Sequence, residues 1–326
     1  MSTITRRLAL GLAALAAACS FNSAADTYPS KPVSVIVAYA PGGQGDVFAR
    51  LVSERLQNSL KQSFVVDNKP GVSGTVGTRI AAKAKNDGYT LFLGQTGEIV
   101  VNRVIIKDLG YDPMKELTPA VLIGNAPLIM LAAVDAPYNT VQEFIRMAQA
   151  KPGEFSYGSV GAGTPGHLSA VALALGSKLT MTHVPYKGVG PLMNDLMAGR
   201  LQVFFSSASA AMGQIKGGKL KALAVTTPQR MASLPNVPTV AESGLPGFSY
   251  SLWGGLFAPA GTPQSVIDLL NREVNTIMNS PDIRARFEAD GLAVPRNSPA
   301  EFADYVRTEA VKFDKLIREA NVKIEQ

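Results

Sequence analysis

Cysteine is almost missing from this chain of 326 residues: Cys19 stands alone, inside an apolar N-terminal segment. A mature chain that begins after that segment has none. That excludes a disulfide scaffold, thiol catalysis and a cysteine-based zinc site, and it suits an oxidising compartment. Histidine is scarce as well. His167 and His183 are the only two, and neither stands beside other ligating residues, so no metal site is expected. There is no G-x-S-x-G elbow and no set of residues that reads as a catalytic triad. Neither an enzymatic role nor a cofactor is expected. After residue 25 no apolar run is long enough to span a bilayer. Polybasic blocks are missing too. The net charge of +6 is spread along the chain, which favours a small anion over nucleic acid as partner.

What is present begins with an address. Arg6 and Arg7 precede an unbroken apolar run, Leu8 to Ala18, and Ser23-Ala24-Ala25 offers a cleavage site before Asp26. This is the secretory pattern, so residues 1–25 are set apart as a signal peptide. Two alternatives accompany the ordinary reading. Thr5-Arg6-Arg7-Leu8 is a loose twin-arginine pattern, and Ala17-Ala18-Cys19 resembles a lipoprotein site in which Leu15 lies one position too far from the cysteine.

The remaining 300 or so residues, rich in apolar side chains, are enough for two domains. Their pattern is strand, glycine turn, helix, repeated. Val33–Tyr39 reads as a strand, Pro41-Gly42-Gly43 breaks it, and Phe48, Leu51, Val52 and Leu56 recur at helical spacing. The same plan returns at Tyr89–Leu93, at Leu128–Ala133 followed by Val141–Ala150, and at Phe155–Val160 followed by Leu168–Leu175. Pro263 to Glu325 is mostly helical. Alternation of this kind means an α/β fold around largely parallel sheets. Crossovers between domains are expected near Ile123–Leu128 and Tyr250–Pro259, with the second domain inserted in the first.

Two loops carry the chemistry. Pro41-Gly42-Gly43-Gln44-Gly45-Asp46 joins a strand to a helix. Glycines let the backbone approach a ligand, and the first amides of a helix have no internal acceptors. With the helix dipole, this makes an anion site; a tight turn with Asp46 as helix cap is the plainer reading. Ser159-Val160-Gly161-Ala162-Gly163-Thr164-Pro165-Gly166-His167 is the second loop. Thr164 suits an N-cap and Pro165 the first helical position. Gly161, Gly163 and Gly166 spell G-x-G-x-x-G, but no acid follows before Asp195, too late to hold a ribose. Gly213 to Lys219 has Walker A spacing, yet Leu220 replaces the required hydroxyl residue. Gln95-Thr96-Gly97-Glu98 forms a third loop. Glu98 there is either a solvated surface acid or a partner for a ligand ammonium. Pro70–Thr75 has a similar composition and reads as structural packing.

These loops also carry a family resemblance. The chain resembles the Bug, or TctC-type, solute receptors of tripartite tricarboxylate transporters. The landmarks include Tyr28–Pro32, the Pro41–Asp46 loop, Asn68-Lys69-Pro70-Gly71, Asp87–Leu91, Tyr111-Asp112-Pro113, Tyr157-Gly158-Ser159, Gly163-Thr164 with His167-Leu168, His183–Gly188, Leu223–Thr226, Pro235–Val240 and Leu256–Pro263. The resemblance implies a two-lobed periplasmic-binding-protein fold (type II) with the cleft between two parallel-type sheets. Lobe 1 would be residues 26–124 plus 250–326, and lobe 2 the inserted residues 125–249. It implies a periplasmic receptor, acting as a monomer, that captures a di- or tricarboxylate, an amino acid or an aromatic acid for a TctA/TctB-type permease. A sensing receptor without transport is the leading alternative, and an exported enzyme a remote one.

The implied ligand-binding set comes from four segments. The first loop gives Tyr39, Pro41, Gly42, Gly43, Gln44 and Asp46, and the third gives Gln95, Thr96 and Glu98. The second gives Ser159, Gly161, Ala162, Gly163, Thr164 and His167, and the strand end after Phe204 gives Phe205 and Ser206. Two departures stand out. Relatives often have an Asp near Ser206, where this chain has the hydroxyls of Ser206, Ser207 and Ser209. Glu98 stands where relatives have small or hydroxylated residues, and it would either restore an ammonium contact or exclude a second carboxylate.

Overall fold

The computed structural model describes residues 28–289, 291–294 and 296–322. The leader, with Arg6, Arg7 and Cys19, lies outside the described residues. The chain forms an α/β fold of two sheets. In the first sheet the strands run β2 (Phe64–Asn68), β1 (Val33–Val37), β3 (Thr90–Gln95), β9 (Ser251–Pro259) and the first part of β4 (Leu117–Ala133). In the second, β8 (Leu220–Val225), the rest of β4, β7 (Val203–Ser207), β5 (Phe155–Ser159) and β6 (Met181–Pro185) lie side by side. β4 is therefore common to both. It pairs with β9 from Leu117 to Pro127 and with β7 and β8 from Leu128 onward.

The sheets are parallel only in part, which corrects the expectation of two parallel-type sheets. β1 pairs parallel with β2 and β3, and β5 with β6 and β7. Every pairing of β4 and β9 is antiparallel. Strand–helix–strand units give the parallel edges, while the segments that cross between sheets must run against them. Proline marks the crossing strand. The register slips after Pro119, where a ladder donor is lacking, and Pro127 is the last β4 residue paired to β9.

Helices cover both faces because their apolar residues recur every three or four positions. α1 (Gln44–Leu60) buries Phe48, Ala49, Val52 and Leu56. α2 (Thr75–Ala82), α3 (Asn102–Ile105), α4 (Pro113–Glu116) and α5 (Val141–Ala150) follow. After these come α6 (Pro165–Gly176), α7 (Val189–Met197), α8 (Ala208–Lys216), α9 (Gln264–Met278) and α10 (Pro281–Ala289). α11 (Pro299–Glu319) starts with a full capping box, Ser298 with Glu301, and buries Phe302, Val306, Phe313, Leu316 and Ile317. Trp253 of β9 is wholly buried against Phe302 and Tyr305 of that helix.

Thr226 clasps the place where β4 changes sheets. It is fully buried; its N–H donates to the Leu128 carbonyl and its Oγ1 accepts from the Leu128 N–H, each at 2.9 Å. Its own carbonyl accepts from the Tyr250 N–H at 3.1 Å, one residue before β9 begins. Thr226→Val keeps the shape but leaves the buried Leu128 N–H without an acceptor, at a cost of about 1–3 kcal/mol. Urea unfolding should show a lower midpoint for Thr226→Val, and Thr226→Ser should retain most of the stability.

Candidate functional site

A cavity of about 340 Å³ opens where the first and second loops face each other. β1 delivers the first loop. Gly42 takes φ +92°, a left-handed turn that side chains disfavour, and the chain then enters α1 from Gly43. Tyr39, Gly43 and Gln44 line the cavity from this side. β5 delivers the second loop, and Ala162, Gly163, Thr164 and Pro165 line the opposite side. Gln95 and Gly97 close the floor. Ser73, Asn102, Ile105 and Leu252 complete the wall.

Neither helix that opens on the cavity is capped by a side chain. Gly43 is the N-cap of α1 and has nothing to cap with. Asp46, expected as the cap, instead turns back: it accepts from the Gly42 N–H at 3.0 Å, from Arg50 Nε at 3.0 Å and from Asn68 Nδ2 at 3.1 Å. The Arg50 hydrogen bond holds the Asp46 carboxyl below the usual carboxylate range. Asp46 is buried and staples the loop from behind. Thr164 does sit at the N-cap of α6, with Pro165 following, but its side chain makes no cap bond. Its Oγ1 donates to the Gly161 carbonyl at 2.7 Å. The first-turn amides of α1 (Gln44, Gly45, Asp46) and of α6 (Gly166, His167) therefore keep the orphan character of helix starts.

The sequence as a whole matches known receptors. The family model for the tripartite tricarboxylate transporter family receptor, TctC, matches residues 48–322. This chain belongs to the TctC receptor family. It is 35% identical to a UPF0065 protein in the tcbD-tcbE intergenic region of Pseudomonas sp. strain P51, covering 100% of this chain and 98% of that one. It is 32% identical to BugT of Bordetella pertussis, over 98% of this chain and 99% of BugT. Among solved structures, Rpa4515 of R. palustris with adipate aligns at TM-score 0.79 and 32% identity, covering 91% of this chain and 99% of that chain. The periplasmic binding protein BugD aligns at TM-score 0.75 and 32% identity, covering 91% and 100%. MatC from Rhodopseudomonas palustris with bound malate aligns at 0.75 and 31%, covering 89% and 100%. The chain thus has the two-lobed periplasmic-binding-protein fold. No helix among the described residues is long and apolar enough to cross a membrane.

In this TctC-family chain several of the expected site residues lie behind the cavity wall. Pro41 and Gly42 are exposed on the loop's outer side and Gly161 is half-buried, but none of the three lines the cavity. Thr96 is fully buried, where its Oγ1 accepts from the Trp253 N–H. Ser159 is buried and ties the second loop: its Oγ accepts from the Gly161 N–H at 3.0 Å and lies 2.7 Å from His183 Nε2. His167 lies close to His183, ring centroids 4.3 Å apart and planes tilted by 57°, and its Nδ1 accepts from the Gly163 N–H at 3.3 Å. Burial, and then the neighbouring His183, push the His167 pKa down to about 4, so it stays neutral. Phe205 belongs to the core, and its carbonyl abuts the first turn of α6, where a Cβ on Gly166 would lie 2.5 Å away. Ser206 is buried, its hydroxyl donating to the Ser207 carbonyl at 3.3 Å. No group of three or more His, Cys, Asp and Glu among the described residues is arranged to hold a metal.

Glu98 is not a surface acid, and both its carboxylate oxygens are held within the protein. It sits in a π-type turn, Gly97–Val101, with no exposure at all. Oε1 accepts from the Gln95 N–H and Oε2 from the Tyr39 hydroxyl, both at 2.8 Å. Tyr39 Oη also lies 3.3 Å from the Ser73 carbonyl, so it has an alternative acceptor when Glu98 is protonated. Burial pushes the Glu98 pKa up to about 7 against three hydrogen bonds that favour its charge, from its own N–H, the Tyr39 hydroxyl and the Gln95 N–H. Of the lining residues, sequence reasoning passed over Ser73, assigned to packing, and Asn102, Ile105 and Leu252, which belong to no motif.

A raised carboxyl pKa in the folded state means that protonation favours folding. The Glu98 contribution is whole below pH of about 4.5 and is lost as pH rises through about 7, on the order of 3 kcal/mol in all. His167 works the other way: its contribution is present above its ordinary pKa of 6.5 and is lost as pH falls through about 4. Glu98→Gln removes only the first. Its melting temperature minus that of the wild type should therefore climb between pH 4.5 and 7 and level off above. A difference that stays flat across that range contradicts the assignment.

Proposed function

We propose that this chain is an extracytoplasmic solute-binding receptor. It captures a small organic carboxylate between its lobes and delivers it to a membrane permease of the TctA/TctB type. Residues 1–25 act as its export signal and the periplasm is its site of action. The observation that carries the reading is the pair of uncapped helix starts, α1 from one lobe and α6 from the other, aimed at one cavity. Backbone amides at such ends carry about half a positive charge and bind anions well. Adipate and malate in two related structures fit the same chemistry.

Each charge-assisted hydrogen bond contributes roughly 1.5–3 kcal/mol. A micromolar complex needs about −8 kcal/mol, so a few amides suffice after the costs of desolvation and ordering. The lobes, with boundaries near residues 124/125 and 249/250, close about the crossovers and exclude water from the carboxylate. The closed form is the one a permease recognises.

Gly43 gives a test in which stability and binding part company. A Cβ there meets only the Ala40 carbonyl, at 3.9 Å, and the backbone is extended, so a side chain fits. Gly43→Asp should cap α1, adding roughly a few tenths of a kcal/mol of stability. The same carboxylate occupies the anion's place, so binding of organic acids should fall at least about a hundredfold. Calorimetry with a panel of acids and thermal melts checks both signs. Binding that survives Gly43→Asp refutes the amide site.

A further inference from the structure

The cavity wall narrows the ligand class. Ile105 at the end of α3, Leu252 at the start of β9, Pro165 and the Tyr39 ring are the apolar parts of the lining. Among the described residues that line the cavity there is no Lys, Arg, His, Asp or Glu. The polar side chains are neutral and largely engaged with the protein. Asn102 Nδ2 donates to the Ser73 carbonyl at 2.8 Å, Thr164 Oγ1 to the Gly161 carbonyl, and Gln44 Nε2 to the Leu252 carbonyl at 3.3 Å. Tyr39 donates to Glu98.

Resting on the carboxylate reading above, we propose that the selected acid carries one carboxylate on an apolar body, with no ammonium and no second charge. The field available supports one anion: two helix ends at about half a positive charge each offset about one negative charge. A second carboxylate would lie against Ile105 and Leu252 without a cation, and a buried unpaired charge is strongly disfavoured. An ammonium fares no better. The acids nearest the cavity are already held, Glu98 by Tyr39 and the Gln95 amide, Asp46 by Arg50, Asn68 and the Gly42 amide. Neither carboxylate faces the lining.

Matched pairs of ligands test this by calorimetry on the mature chain. Hexanoate and adipate differ by one carboxylate, and 3-phenylpropanoate and phenylalanine by one ammonium. The uncharged-body acid of each pair should bind at least about tenfold tighter, a difference of roughly 1.4 kcal/mol. Adipate or phenylalanine binding as well as its twin overturns the proposal and leaves the carboxylate reading standing. Hexanamide binding as well as hexanoate, or no acid binding at all, overturns the carboxylate reading and this proposal with it. Ile105 is half-buried at the wall, so Ile105→Lys supplies the missing cation there. It should shift the adipate-to-hexanoate affinity ratio toward adipate by about tenfold or more, with Leu252→Lys as a second variant. A ratio unmoved in both, with the variants folded by circular dichroism, also overturns it.

Discussion

One strand is shared by two sheets, and the rest of the molecule is arranged around that constraint. Because β4 runs from Leu117 to Ala133 without a break, the first sheet and the second meet at a fixed place in the chain. Thr226 supplies both a backbone and a side-chain bond to Leu128 just where the ladder to β9 stops. The return passage at Tyr250–Ser251 is tied to the same threonine. The cavity borders this junction, so a change in the angle between the lobes alters it. Leu252, beside the return passage, is itself part of the wall.

The charges near the cavity are kept out of it. Asp46 is paired with Arg50 and hydrogen-bonded by Asn68, Glu98 lies buried beside Tyr39, and His167 remains neutral beneath the second loop. Their work is positional. Asp46 fixes Gly42, Glu98 fixes the Gln95 amide, His167 holds the Gly163 amide and Ser159 holds Gly161. The loops that face the cavity are thus held in shape by side chains one layer back.

Much of this was legible in the sequence, and the reasons for the rest are physical. Strand, glycine turn and helix at residues 33–60 and 155–176 follow from β-branched runs, glycine and 3.6-residue spacing, all of them local signals. The passage of β4 between sheets showed as an apolar strand with Gly and Pro. The antiparallel pairing of β4 with β9 did not, because it joins residues more than a hundred positions apart. At the site, Asp46 and Thr164 had the right identity for caps, but a loop backbone offered them nearer partners, and no pattern reveals which acceptor a side chain will choose. Glu98 is the sharpest case. An acid after a strand reads as solvent-facing, and only the π-type turn carries it inward to the Tyr39 hydroxyl. Ile105 and Leu252 matter through proximity alone, with no motif to mark them.

The inserted arrangement of the second sheet has a consequence for the order of events during synthesis. Residues 128–225 contain every strand of the second sheet, so that half can assemble as soon as it emerges. The first sheet waits. β9 fills the gap between β3 and β4, and it arrives more than a hundred residues after them. Until Pro259 has been made, two strand edges stand unpaired beside apolar faces, which is the state most open to edge-to-edge aggregation. For a chain that emerges N-terminus first, the interval between β4 and β9 is when a chaperone has most to protect.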